Sequence, residues 1–176
     1  ESSRQIVRNM RSIGLDLGQW IERGLLKFHS TRSTLYGLEM HLASMHALIK
    51  GFQPQVAVVD PIGNLMQAGT LREANVMLTR LIDFLKVHQI TGFLTSLTWG
   101  GSALERTEVD VSSLVDTWLL LRDIELNGER NRAMYVLKSR GTAHSNQLRE
   151  FLLTDQGVEL LDVYTGSEGV LTGSAR

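Results

Sequence analysis

The chain has 176 residues and a mass of 19.7 kDa, with 43% hydrophobic and 21% charged side chains; these fractions lie near globular averages and exclude a wholly disordered or fibrous polypeptide. Eighteen Lys and Arg against nineteen Asp and Glu leave a net charge of −1, which argues against a broadly basic nucleic-acid surface. With no cysteine there is no disulfide framework, thiolate metal site or cysteine nucleophile, and no apolar run approaches the ~20 residues that span a bilayer.

From Ser2 to Ile13, the apolar residues Ile6, Val7, Met10 and Ile13 form one helical stripe, with Ser2 or Ser3 as its cap. Leu15 to Arg23 reads as a second short helix stopped by Gly24, and Leu25 to Phe28 as a short strand. Leu35 to Ile49 is amphipathic and helical, closed by Lys50 and Gly51. Val56-Ala57-Val58-Val59 then runs into Asp60, the pattern of a parallel strand buried on both faces and ending in an acid. Thr70 to Gln89 is helical again, and Gly92 to Leu97 is a second apolar strand.

The second half changes character. Val115 to Leu126 and Ala133 to Leu137 predict two strands joined by the hairpin signal Asn127-Gly128. Leu148 to Leu153 and Val158 to Val163 predict another hairpin around Asp155-Gln156-Gly157. Helix–strand–helix–strand followed by antiparallel strands is an α/β unit with an antiparallel extension, expected as three layers. The start at Glu1 and the Gly/Ser segment Thr172 to Arg176 read as the edges of a piece of a longer polypeptide. The overall profile is that expected of a cytoplasmic protein.

Several segments, in order, resemble KaiC-type ATPases of the RecA/DnaB superfamily: Glu1 to Arg4, Gly24 to Lys27, Gly37 to Glu39, Val58 to Asp60, Ile90 to Phe93, Val115 to Thr117, Arg132-Ala133, Lys138 to Gly141 and Arg149 to Phe151. The resemblance covers essentially the whole chain, and Leu171 to Arg176 resembles the end of the second of that family's tandem ATPase domains. It implies a RecA-like three-layer α/β fold with a largely parallel sheet and an antiparallel C-terminal extension. Residues 1–176 would be a partial domain, truncated at its N-terminus, because the Walker A sequence G-x-x-x-x-G-K-[ST] does not occur. On that ground the isolated piece is expected neither to bind ATP tightly nor to turn it over.

The resemblance also implies site residues. Glu1 would be the catalytic acid and a Mg2+ ligand, although the family's second glutamate is replaced by Ser2. Asp60 would be the Walker B carboxylate supporting Mg2+, followed by Pro61 where relatives often carry Ser. Lys138 and Arg140 would act on ATP bound by a neighbouring subunit, with Ile13, Arg132, Ser139, Thr142, His144 and Asn146 facing nucleotide. Thr142 stands for a Ser, Asn146 for a Lys and Ile13 for an adenine-facing Trp. Ser112 and Ser113 match a Ser-Thr phosphoacceptor dyad and are hydroxyl nucleophiles, though two serines also serve as helix caps. Thr107 and Glu108 match a nearby Thr-Asp pair.

The implied function is ATP binding and hydrolysis with ATP and Mg2+, with serine autophosphorylation and a signalling or circadian role. The implied partners are further copies in a hexameric ring and clock or signalling proteins; neither membrane nor nucleic acid is expected. The alternatives are a recombinase or helicase acting on DNA, against which the balanced charge stands, and a non-kinase ATP-driven signalling scaffold. Among the histidines only His41 and His46 are close, and a spacing of five does not align them on one helix face, so no zinc site is expected. Trp20, Trp99 and Trp118 read as packing residues.

Overall fold

A computed structural model describes residues 2–97, 113–126, 129–145 and 147–161. The chain divides into two units, Glu1–His29 with Val115–Arg176 and Ser30–Leu114.

In the unit Ser30–Leu114, helix α3 (Leu38–Phe52) precedes strand β1 (Val56–Val59), and helix α4 (Leu71–Val87) precedes strand β2 (Thr91–Leu94). The remaining α-helices and strands belong to the other unit. The start of α4 is fixed reciprocally. The Thr70 hydroxyl accepts from the Glu73 amide, and the Glu73 carboxylate accepts from the Thr70 amide at 2.8 Å. Donation from the Thr70 amide, and also from its hydroxyl, to the Glu73 carboxylate holds that carboxyl below its usual pKa. Ala74, Met77, Leu78, Leu81 and Leu85 then line one stripe, packing with Leu38 and Leu42 of α3 and with Ile62 and Leu65 of the 3-10 segment Ile62–Ala68. The expected helices Leu35 to Ile49 and Thr70 to Gln89 are thus shifted at their ends. Gly37 caps α3, leaving Leu35 in a 3-10 turn, and Gly51 stays helical while Gln53 takes the left-handed cap with φ 51°.

Strands β1 and β2 pair in parallel, Val56↔Thr91 through Val59↔Leu94. The expectation that β1 is buried on both faces is not met. Val56 and Val58 are 50% and 63% exposed, while Ala57 and Val59 pack on the core. Within this unit the core lies against one face of the strand, so its alternate residues stay open. Strand β2 stops at Leu94, short of the predicted Leu97; the Thr95 amide still bonds the last residue of β1, but its carbonyl accepts from the Ile62 amide beyond that strand.

In the other unit, helix α1 (Ser3–Arg11) is capped by Ser2, whose hydroxyl accepts from the Gln5 amide at 3.4 Å. It ends before Ile13, at a turn where Gly14 has φ 79°. A Cβ at Gly14 would lie 2.0 Å from the Asp155 carbonyl oxygen, a close approach that only glycine permits. Helix α2 (Gly18–Glu22) is shorter than predicted. Leu25 to Phe28 is not a strand: the Leu25 and Leu26 amides bond the Trp20 carbonyl, closing the helix end instead of joining a ladder. Trp20 is not a core residue; it is 40% exposed with the Arg23 guanidinium 4.8 Å above its ring. Trp118 is half-buried, and Trp99 lies outside the described residues.

Strands β3 (Thr117–Leu126), β4 (Glu129–Ser139), β5 (Arg149–Thr154) and β6 (Gly157–Leu160) form an antiparallel sheet in chain order. The β3–β4 ladder closes at Leu126↔Glu129, and the predicted turn Asn127-Gly128 lies outside the described residues. The second hairpin turns at Asp155 and Gln156, with Gly157 at φ 112° opening β6; its predicted end at Val163 lies outside the described residues. Between Leu119↔Val136 and Trp118↔Lys138 the register slips by one, leaving Leu137 as the extra residue of a bulge. The slip places Lys138 on the face of Trp118 and Leu120, opposite that of Leu119 and Val136. Strand β4 runs beyond the predicted Ala133 to Leu137 at both ends, reaching the Lys-Ser-Arg segment. Helices with a parallel pair and an antiparallel sheet are the α/β composition expected. Among the described residues no helix is long and apolar enough to cross a membrane.

Candidate functional site

A chemically dense stretch spans the last residues of β4 and those just beyond it. The ammonium of Lys138, half-buried, donates to the Val115 carbonyl oxygen at 3.0 Å. The Ser139 hydroxyl lies 3.3 Å from that of Thr117 and is hydrogen-bonded to that of Thr142. The Arg140 amide donates to the Asp116 carbonyl at 2.8 Å. Gly141, with φ 74°, lets the chain double back so that Thr142 returns to Ser139, a conformation that other residues adopt only with strain. His144 follows, its Nδ1 3.5 Å from the Thr142 carbonyl, and it is exposed like Arg140 and Thr142. Lys138, Ser139, Arg140, Thr142 and His144 are therefore gathered at one strand end, a concentration of cations and hydroxyl donors suited to phosphate oxygens.

Arg132 lies on the same strand, six residues away, about 20 Å at the usual strand rise. It shares a hollow of about 130 Å³ with Asp123 and Arg130, which are paired at 2.7 Å. Only an extended ligand can meet both Arg132 and the strand end. Ile13 is half-buried in the turn after α1, its amide bonded to the Met10 carbonyl. Ser113 is exposed, two residues before Val115 in the chain. Glu1, Ser112 and Asn146, with Thr107 and Glu108, lie outside the described residues.

Asp60 belongs to the other unit, at the C-terminal end of β1, and is exposed. Its carboxylate accepts a hydrogen bond from the Thr95 hydroxyl. Thr95 is itself fixed by main-chain bonds, its amide to the Val59 carbonyl at 3.0 Å and its carbonyl to the Ile62 amide at 2.9 Å. Sequence reasoning did not single out Thr95 as a site residue; a hydroxyl just past the second of two parallel strands is the signal that marks it. Asp60 and Thr95 offer hard oxygen atoms, the donor set Mg2+ prefers. Among the described residues no three His, Asp or Glu side chains are gathered for a metal. One carboxylate suits an ion that completes its shell with water and substrate phosphates.

His41, His46 and His88 serve packing. His41 is buried and donates through Nε2 to the Ser33 carbonyl at 2.9 Å. His46 stacks on Phe84 at 3.9 Å between ring centres, and His88 meets the same ring at 4.2 Å.

A family model described as "ATPase: KaiC" matches residues 1–164. The chain is 52% identical over 178 residues to the "Circadian clock protein KaiC2" of Synechocystis sp., covering 100% of this chain and 31% of that protein. It is 33% identical over 177 residues to the "Circadian clock oscillator protein KaiC" of Thermostichus vulcanus, covering 99% and 34% respectively. The "Circadian clock protein KaiC3" of Synechocystis sp. is likewise 33% identical, with 99% of this chain and 35% of that protein covered. The chain thus spans about a third of the length of these curated relatives.

Proposed function

Because the chain belongs to the KaiC family of ATPases and has its RecA-like α/β fold, we propose that it forms part of an ATP-hydrolysing subunit of a hexameric ring, which binds Mg2+ and ATP between copies and also phosphorylates its own serines. The observation that carries this reading is the strand end Lys138 to His144, where an ammonium, a guanidinium, two hydroxyls and an imidazole lie within seven consecutive residues. Since the chain contains no G-x-x-x-x-G-K-[ST] sequence, the phosphate-cradling loop would come from another segment of the polypeptide.

Glu1 would accept the proton of the attacking water or serine hydroxyl. The attacking oxygen then bonds the γ-phosphorus as the bond from that phosphorus to the bridging oxygen breaks, releasing ADP. Lys138 and Arg140 would stabilise the negative charge on the transferred group in the neighbouring copy, with Thr142, His144 and Asn146 holding phosphate oxygens. Arg132 would meet the far end of the extended nucleotide, and Ile13 would offer an apolar contact there. Asp60, steadied by Thr95, would be a Mg2+ ligand. When bound, Mg2+ neutralises charge on the β- and γ-phosphate oxygens. Ser112 and Ser113 would be the phosphoacceptors. That the relatives are named as clock proteins supports a circadian or related signalling role.

The test uses the full-length protein and γ-labelled ATP. Arg140→Ala is expected to lower turnover about a thousandfold, the usual cost of a lost arginine finger. Asp60→Asn is expected to be inactive, and mixing the two inactive variants should restore turnover, because each can supply the half-site the other lacks. Absence of turnover in the unaltered protein, or no recovery on mixing, overturns the composite-site reading. Phosphate release without label at Ser112 or Ser113 removes the autokinase part alone.

A further inference from the structure

Side-chain and main-chain bonds join the end of β4 to the stretch Val115–Thr117 from both faces of the strand. On one face Lys138 donates its ammonium to the Val115 carbonyl. On the other the Ser139 hydroxyl bridges those of Thr117 and Thr142. Between them the Arg140 amide holds the Asp116 carbonyl at 2.8 Å. The stretch held in this way begins two residues after Ser113 in the chain.

The bulge at Leu137 makes the arrangement possible. Strict alternation from the hairpin would set Lys138 on the face of Val136 and Leu119; the slipped register sets it beside Trp118, half-buried, with its head at Val115. A lysine that only presented charge to a ligand outside its own chain would gain nothing from donating to a carbonyl 23 positions earlier.

We infer that Lys138 is a positioning residue as well as a cation: with Ser139 and the Arg140 amide it clamps Val115–Thr117, so that the nucleotide-facing strand end and the segment following the serine pair are held as one body. The inference rests on the proposed reading of the strand end and of Ser113 as phosphoacceptor. On that reading the clamp sets how often a transferred phosphoryl group goes to serine instead of water, because it fixes where the acceptor segment is anchored.

The experiment is hydrogen–deuterium exchange on the full-length protein without nucleotide, followed through peptides covering 113–121, alongside the ratio of serine label to phosphate released with γ-labelled ATP. Lys138→Met is expected to speed exchange in that segment about tenfold, the effect of losing one charge-assisted bond, and to lower the label-to-phosphate ratio. Lys138→Arg, which can still reach a carbonyl, should recover both. Ser139→Ala, a smaller change, should move both in the same direction as Lys138→Met. Arg140→Ala keeps the Arg140 amide bond and should slow label and phosphate release together while leaving exchange alone. Unchanged exchange in both Lys138→Met and Ser139→Ala overturns the clamp. Phosphate release with no serine label in the unaltered protein removes the phosphoacceptor reading, while the exchange result still decides the clamp.

Discussion

Replacing Thr95 by Val removes one hydroxyl and keeps shape and backbone. The main-chain bonds of Thr95 to Val59 and Ile62 survive the change, so the loss is confined to the bond with the Asp60 carboxylate. A hydrogen bond to a charged group contributes about 1.5–3 kcal/mol when sheltered. Here both side chains are exposed and water replaces much of it, so stability should fall by less than about 1 kcal/mol. On the proposed reading of Asp60 as a Mg2+ ligand, the larger effect falls on the metal. A hydrogen-bond partner that orients a ligating carboxylate is usually worth about 10- to 100-fold in metal affinity. The exposure of this pair sets the expectation at the lower end, about tenfold or 1.4 kcal/mol. The measurement is the free Mg2+ concentration giving half-maximal nucleotide binding to the full-length protein, in Thr95→Val, Asp60→Asn and the double variant. Thr95→Val should shift that concentration upward about tenfold in the unaltered background and add nothing to Asp60→Asn. An unshifted Mg2+ dependence, or an equal further shift in the Asp60→Asn background, refutes the assignment of Thr95 as the group that steadies Asp60.

Two further outcomes follow from the core and the helix seam. Leu78, fully buried in the α4 stripe, should destabilise its unit by about 2–5 kcal/mol when changed to Ala, read as a lower urea midpoint; a loss under about 1 kcal/mol would mean the site collapses around the deletion. Burial, then Lys50, His88 and Arg80, hold the pKa of His46 below its usual value of 6.5. The unfolded chain therefore binds more protons than the folded one in that window, and stability should be full above about pH 6.5 and decline on acidification. His46→Phe keeps the stack on Phe84 and should flatten this slope; an unaltered slope would place its origin elsewhere.

What the sequence made legible was mostly local. Ser2 announces a helix start because a side-chain oxygen can satisfy an amide three residues on, and that cap forms, whereas Thr70, read as the first helical residue, is the cap of α4. The α4 stripe shows as a 3.6-residue period, and β1 ends in its acid at Asp60 as read. Leu25 to Phe28 misleads because three apolar residues around Lys27 fit a short strand or a helix end equally well, and the Trp20 carbonyl takes the Leu25 and Leu26 amides. Gly51 misleads because helix packing absorbs its intrinsic cost of about 1 kcal/mol, leaving Gln53 to end the helix. At the site, residue types were legible and partners were not. Thr95 meets Asp60 across 35 positions and Lys138 meets Val115 across 23, and such pairings follow from strand register that no local pattern encodes.

The bulge at Leu137 also divides β4 into two lengths with independent phase. Toward the hairpin, alternation is set by pairing with β3 and β5 and decides which side chains face inward, as with Ala133. Beyond Leu137, alternation is counted afresh from the bonds to Val115, Asp116 and Thr117. A shift in the hairpin's register would be taken up at the bulge instead of turning Lys138 and Arg140 over. The orientation of the strand end is thus set by the stretch it meets and not by the phase of the hairpin.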